Sequence, residues 1–388
     1  MDTRRGWRIE DRGSKAIILF FALFMAACSQ TKEPTSAEEI RIGVYASLTG
    51  TTATFGQSTQ KGVEMAVAET NGSGGVLGKQ IRVFIEDDQG KPEEAQTVVT
   101  RLINRDRVIA VIGETASSRS LAAAPICQQS GIPMITPSST NPKVTQVGDF
   151  IFRVCFIDSF QGAVMAKFAA KTLHASRVAI LRDIKNEYSV GLADVFIEHF
   201  KKSGGVIHGD VSYSEGDTDF SAQLTSLKSG NPEAIFVPGY YTEVGLIAIQ
   251  ARKLGITAPL FGGDGWESPK LIEIGGTALN GCYYSNHYSR DDPAPEIQSF
   301  VKGYQTRYNE APDAVGALSY DATKILINAI RKAGSTQPSA IRNELAQTKA
   351  FAGVTGSITI DSNRNAVKPA VVLRVQNSKL EYVETVAP

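Results

Sequence analysis

Residues 108–140 read VIAVIGETASSRSLAAAPICQQSGIPMITPSST. The apolar run Val108–Ile112 is followed by a polar loop from Gly113. A helical pattern then spans Ser117–Ser130, and a second short apolar run, Pro133–Thr136, closes the unit. The two strands are continuously apolar rather than alternating, and a helix separates them. Strands of that kind lie in a parallel sheet with both faces covered. The loops that follow them, starting at Glu114 and Pro137, therefore fall at the carboxyl ends of neighbouring strands, where open parallel sheets receive ligands.

The same alternation extends in both directions. Upstream lie strands Arg41–Ala46 and Ile81–Ile85, with helical patterns at Gly56–Thr70 and Pro92–Asn104. Downstream, strands at Val178–Leu181, Val206–His208, Ala234–Val237, Leu260–Gly262 and Cys282–Ser285 alternate with helices at Phe160–Thr172, Val190–Lys202, Thr242–Leu254 and Ala294–Tyr308. The pattern is α/β and occurs twice, before and after about Phe156. It predicts two Rossmann-like lobes with parallel sheets. Two further helices, Val315–Lys332 and Pro338–Thr348, and strands at Ser357–Ile360 and Ala370–Val375 imply that the chain crosses between lobes more than once. The expected division gives 40–157 and 288–350 to lobe 1, and 158–287 and 351–388 to lobe 2.

The N-terminus reads as a targeting segment. Arg4, Arg5, Arg8, Arg12 and Lys15 precede the apolar run Ala16–Ala27. Twelve helical residues rise about 18 Å, short of a hydrocarbon core of about 30 Å. Residues 1–27 are thus expected to be a secretory signal peptide. Met25-Ala26-Ala27-Cys28 resembles a bacterial lipobox, which implies lipidation of Cys28, with 28–39 as a polar tether. The expected location is the periplasm or cell surface, on the membrane through that anchor only. Without the first 27 residues the chain has 40 − 5 = 35 basic and 40 − 3 = 37 acidic side chains, a formal charge of −2. Such a balance excludes an electrostatic partner of the nucleic-acid kind. Cys127, Cys155 and Cys282 lack metal-ligand spacing and are expected as buried thiols. The four histidines are scattered, and no nucleophile–base pair or dinucleotide fingerprint is present. A non-enzyme without metal or cofactor is expected.

Ser117 opens a helix, and Ser138, Ser139 and Thr140 follow the next strand. Hydroxyls and backbone N–H groups at a helix start receive an anion, here a carboxylate, since Arg119 is the only cation near. In the second half, Asp264 stands at a strand end among Gly262, Gly263 and Gly265. A carboxylate so placed suits an ammonium group, with Tyr240 and Trp266 giving apolar and cation–π contact. Tyr188, after the strand Val178–Leu181, is a further candidate. A zwitterion would bridge the two lobes.

The chain resembles the leucine/isoleucine/valine-binding family of ABC-importer receptors, with the type I periplasmic binding protein fold. The stretches that carry this are IRIGV from Ile40, the glycine-punctuated run Gly62–Gly78, VIGETASS from Val111, GIPMITPSST from Gly131, DSFQG from Asp158 and PGY from Pro238. The resemblance implies a small amino-acid-like ligand, ABC permease subunits as partners, and capture by hinge closure. It places Ser117, Ser138 and Thr140 at the ligand carboxylate, Asp264, Tyr240 and Tyr188 at the ammonium, and Phe55 on the side-chain pocket. Two departures, Asp264 where a glutamate is usual and Trp266 where a small residue is usual, leave the side-chain preference open. The alternative is a ligand sensor of the same fold for an amide, aromatic acid or other small carboxylate.

Overall fold

The computed structural model describes residues 39–388, so the signal peptide, Cys28 and nearly all of the tether lie outside the described residues. Strands β1 (Ile40–Ala46), β2 (Ile81–Asp87), β3 (Ala110–Ile112), β4 (Met134–Thr136) and β5 (Ile151–Arg153) form a parallel sheet of order β2-β1-β3-β4-β5. Strands β6 (Arg177–Asp183), β7 (Val206–Tyr213), β8 (Ala234–Phe236), β9 (Leu260–Gly262) and β10 (Cys282–Asn286) repeat the order as β7-β6-β8-β9-β10. In each lobe the connections reverse direction beside the first strand, between β1 and β3 and between β6 and β8. The crevice outside such a reversal is where doubly wound sheets hold ligands.

The strands are short and apolar because both faces are covered: Ala110, Val111 and Ile112, and Ala234, Ile235 and Phe236, are fully buried. The helix Ser117–Ser130 ends in Gly131 at φ +62°, a left-handed cap that glycine adopts without steric cost. The helix Ala314–Ala333 starts at Asp313, whose Oδ1 accepts from Gly316 N at 2.8 Å. It packs on the helix Ala53–Gly72 over the first core, with Leu318, Ala322, Ile325 and Leu326 buried beside Val63 and Val67.

Two expectations are corrected. The segment 351–388 does not lie whole in lobe 2. Strands β11 (Phe351–Gly353), β12 (Gly356–Ile360) and β13 (Ala366–Val367) make a small antiparallel sheet whose Ile358, Ile360 and Ala366 are buried in the first core. Only β14 (Ala370–Gln376) and β15 (Lys379–Val386) join the second sheet. That sheet is also not wholly parallel, because β14 pairs antiparallel to both β10 and β15. The physical reason is the same in both cases. A hairpin around Asp361, whose Oδ1 accepts from Asn363 N and Asn365 N, turns the chain back within lobe 1. The chain then leaves for lobe 2 at Lys368.

The chain therefore passes between the sheets three times: after β5 near Phe156, after β10 near His287, and between β13 and β14 at Lys368. The lobes are closed on one another. Thr242 Oγ1 donates to Thr51 O at 2.7 Å, Thr54 N to Tyr241 Oη at 3.2 Å, Asn141 Nδ2 to Glu187 O at 2.7 Å, and Glu187 N to Ser118 Oγ at 3.0 Å. Cys127, Cys155 and Cys282 are free, buried thiols. Among the described residues no helix is long and apolar enough to cross a membrane.

Candidate functional site

A small cavity lies between the lobes, lined by Phe55, Thr115, Ser117, Ser138, Tyr188, Tyr240, Asp264, Gly265 and Val315. The strand ends of both sheets meet here: Thr115, Ser117 and Ser138 follow β3 and β4, while Tyr188, Tyr240 and Asp264 follow β6, β8 and β9. Six side chains expected from the sequence, Phe55, Ser117, Ser138, Tyr188, Tyr240 and Asp264, thus share one space.

The first-lobe wall is built around Glu114. Its Oε1 accepts from Ser47 N at 3.2 Å and Ser47 Oγ at 2.8 Å, and its Oε2 accepts from Ala116 N. Oε2 also lies 3.2 Å from Arg119 Nε. Arg119 donates further to Thr52 Oγ1 at 3.0 Å and Gly90 O at 3.3 Å. Burial alone would lower the guanidinium, but the carboxylates of Glu114, Asp88 and Glu215 outweigh it and hold Arg119 above its ordinary value. The single nearby cation is therefore committed to shaping the loop. The helix Ser117–Ser130 begins at Ala116, which offers no side-chain cap. The cavity here meets hydroxyls and the positive end of a helix, not a fixed side-chain charge.

Three expected residues are not on the wall. Ser139 is fully buried, with its Oγ 2.7 Å from Ser120 Oγ, 2.8 Å from Glu114 O and 3.1 Å from Thr115 O. Its hydroxyl ties β4 to the loop after β3 and is turned away from the cavity. Thr140 is also fully buried, and its carbonyl accepts from Asp158 N at 2.9 Å as the chain enters lobe 2. Trp266 sits in the second core: its Nε1 donates to Val237 O at 2.9 Å and its ring lies 6.0 Å from that of Tyr284. An indole needs a partner for its N–H when buried, and the carbonyl at the end of β8 supplies it.

The second-lobe wall presents Asp264. Gln161 Nε2 donates to its Oδ1 at 2.9 Å, His287 Nε2 lies 2.9 Å from Oδ2, and Ser138 Oγ donates across the cleft to Oδ2 at 3.4 Å. Burial pushes His287 below its ordinary value, partly opposed by Asp264, so the imidazole is neutral at pH 7. Asp158 is pushed up to about 8 by burial and by the charge of Asp264, and is protonated there. No lysine or arginine pairs with Asp264 among the described residues. Tyr188 and Tyr240 stack at 5.4 Å with planes 3° apart, and Phe55 meets Tyr240 and Tyr241 edge-on at 5.6 Å and 4.9 Å. The result is a negative group and a helix start at the polar end of an aromatic space.

Sequence reasoning missed Thr115, Gly265 and Val315 on the wall and the two groups that hold Asp264. Thr115 lies inside the loop already singled out, and Gln161 within the DSFQG stretch. Val315 carries no local signal, since the fold brings it in from a distant segment, and His287 is placed by the pairing of β10 with β9, which its own stretch of sequence does not announce.

The buried carboxyls set a pH dependence. Asp158 (about 8), Asp88 (about 7) and Asp313 (about 7) are raised, first by burial. A raised carboxyl keeps its proton in the folded state while the unfolded chain, ionising near 4, has lost it. Its contribution is greatest at low pH and drains away as pH rises through the folded value. His287 opposes this only below about 6.5, the value of a free imidazole. The melting temperature is therefore expected to fall between pH 6.5 and 8.5 in scanning fluorimetry; a flat or rising profile contradicts the protonated carboxyls.

A family model described as periplasmic binding protein matches residues 39–379. The chain is 31% identical over 336 residues to Leu/Ile/Val-binding protein homolog 3 of Brucella melitensis, covering 86% of this chain and 90% of that one. Among solved structures, the leucine-binding protein LivK of Thermotoga maritima superposes with a TM-score of 0.87 at 42% identity, over 90% of this chain and 99% of that one. LivJ of Streptococcus pneumoniae, a branched-chain amino acid transporter substrate-binding protein in complex with isoleucine, gives 0.86 at 36% identity, over 90% and 100%. The family match runs from the strand that starts the first sheet into the last strand of the second, and so takes in both walls of the cavity. The chain belongs to the periplasmic binding protein family.

Proposed function

We propose that this protein is the exported receptor of an ABC importer and captures a branched-chain or related amino acid between its lobes, delivering it to the permease subunits. The observation that carries the reading is Asp264, a buried carboxylate whose protein partners are neutral, facing hydroxyls and a helix start across the cleft. An α-ammonium would neutralise Asp264, the α-carboxylate would meet Thr115, Ser117 and Ser138, and an aliphatic side chain would lie on Phe55, Tyr240 and Val315. Because both lobes touch the ligand, it binds the closed form better and shifts the population towards it. Similarity to proteins named for leucine, isoleucine and valine supports this choice of ligand.

The test is a thermal-shift panel on a soluble form beginning at Ser29, unfolded and refolded beforehand to strip carried-over ligand. Leucine, isoleucine or valine at 100 times its dissociation constant should add about 2.7 kcal/mol. A response to benzoate or aliphatic amides with none to amino acids overturns the zwitterion assignment. Ser138→Ala should weaken leucine binding about tenfold, the range of one hydrogen bond. Ser139→Ala should lower the melting temperature more than the affinity, and the reverse order in calorimetry contradicts the roles given to the two hydroxyls.

The segment before Ile40 is read as a cleaved signal peptide ending at Ala27 and a lipid anchor on Cys28. Mass spectrometry of the membrane-extracted protein should find an acylated N-terminal cysteine, and Cys28→Ala should release the protein. An unmodified N-terminus beyond residue 28 rules the anchor out.

A further inference from the structure

We infer that His287 is a positioning residue for amine recognition: through its Nε2–H it holds the Asp264 carboxylate turned towards the cavity. This deepens the amino-acid reading above and rests on it. Three observations on separate elements lead to it.

The first is the hydrogen bonding of the carboxylate. Gln161 Oε1 accepts from Asp264 N and from Ser285 Oγ, both at 2.9 Å. A backbone N–H can only donate, so the amide is fixed with its Nε2 towards Asp264 Oδ1. One oxygen of the carboxylate is thereby assigned. The other, Oδ2, faces His287 Nε2 at 2.9 Å. An ionised carboxylate only accepts, so a neutral His287 must carry its proton on Nε2.

The second is what this tautomer leaves behind. His287 Nδ1 is buried and has no hydrogen-bond partner among the described residues. A buried lone pair without a donor is unfavourable. The imidazole is thus poorly served as a core side chain, since an apolar ring of similar shape would avoid the orphan. What the histidine supplies that such a ring does not is the single N–H aimed at Asp264.

The third is location. His287 stands where the chain leaves β10 for lobe 1, and its ring stacks at 3.8 Å on Phe156, which stands where the chain leaves β5 for lobe 2. Two of the three crossings between lobes therefore grip the ring that orients the acid. A carboxylate stripped of one of its two strong donors turns more freely about its side-chain torsion. That freedom takes the carboxylate out of the position an ammonium needs.

The experiment compares leucine with 4-methylpentanoate, the same skeleton without the amine, by calorimetry on the wild type, His287→Phe and His287→Gln. The ratio of the two affinities isolates the amine. Phenylalanine keeps the stacking but has no donor, and glutamine restores an N–H at similar reach. The preference for leucine should fall about tenfold in His287→Phe, the range of one hydrogen bond to a charged group. It should return most of the way in His287→Gln, with the melting temperature of His287→Phe equal to or above that of the wild type. Equal weakening for both ligands, or no change in either, overturns the inference while leaving the receptor reading intact. A wild type that binds no leucine overturns that reading and this inference with it. Nitrogen NMR of the wild-type histidines at pH 7 gives a readout independent of any variant: a neutral ring protonated on Nε2 is expected for His287, and protonation on Nδ1 overturns the assignment.

Discussion

Asp264→Ala is expected to raise the dissociation constant for leucine by about two to three and a half orders of magnitude, corresponding to the 3–5 kcal/mol typical of removing one partner from a buried charge pair. The acid lies between Gln161 and His287, with Ser138 reaching it from the opposite lobe, and no protein cation answers it among the described residues. An ammonium closed into this space without the carboxylate would be left desolvated and unpaired. The loss should be larger than for Ser138→Ala, which removes one hydroxyl from a wall that still offers Thr115, Ser117 and a helix start. Binding of 4-methylpentanoate should be unchanged or tighter, because a buried acid no longer faces an apolar or anionic group. Calorimetry decides the matter. A loss at Asp264 no greater than at Ser138, or equal losses for the two ligands, would remove the amine from this end of the cavity.

Gly62→Ala is expected to cost about 2–3 kcal/mol of stability, at the upper end of what overpacking does in a filled core. The helices Ala53–Gly72 and Ala314–Ala333 approach so closely at this point that a Cβ on Gly62 would lie 2.2 Å from Gly316 O and 3.0 Å from Ser319 Cβ. A backbone carbonyl cannot rotate away, so the helices must separate. The same two helices carry Phe55 and Val315 to the cavity, hence a looser helix pair should also weaken leucine binding. Gly72→Ala, on the same helix with open space around it, is the control and should leave both quantities near the wild type. Equal melting temperatures for Gly62→Ala and the wild type would show that the contact yields without cost.

Much of the fold was legible because it depends on local pattern. Apolar strands of three to six residues divided by amphipathic helices lead to parallel sheets, and their occurrence twice leads to two lobes. The order of strands then dictates that the segments after β1, β3, β4, β6, β8 and β9 converge, which is why six of the nine expected ligand residues line one cavity. The C-terminal pieces were assigned less well. The run Phe351–Val367 is too short to announce which core it joins, and β15 alternates between exposed and half-buried residues at a sheet edge. Membership of one sheet or another is decided by long-range pairing, which no window of sequence contains.

By itself the sequence determined a two-lobed α/β chain of the periplasmic binding protein kind, and it named an acid and a set of hydroxyls as candidates for the cleft. Only the tertiary structure decided which of those groups face the cavity. Ser138 and Ser139 are adjacent in sequence, yet successive side chains leaving a strand point in different directions: one reaches across to Asp264, the other ties Glu114 and Thr115 together. Trp266 turns inward because its N–H finds a carbonyl there. His287 meets Asp264 because β9 and β10 are parallel neighbours, while its ring is held by Phe156, more than a hundred positions away at another crossing. Residue type sets what a side chain can do, but packing over the whole chain chooses which partner it meets.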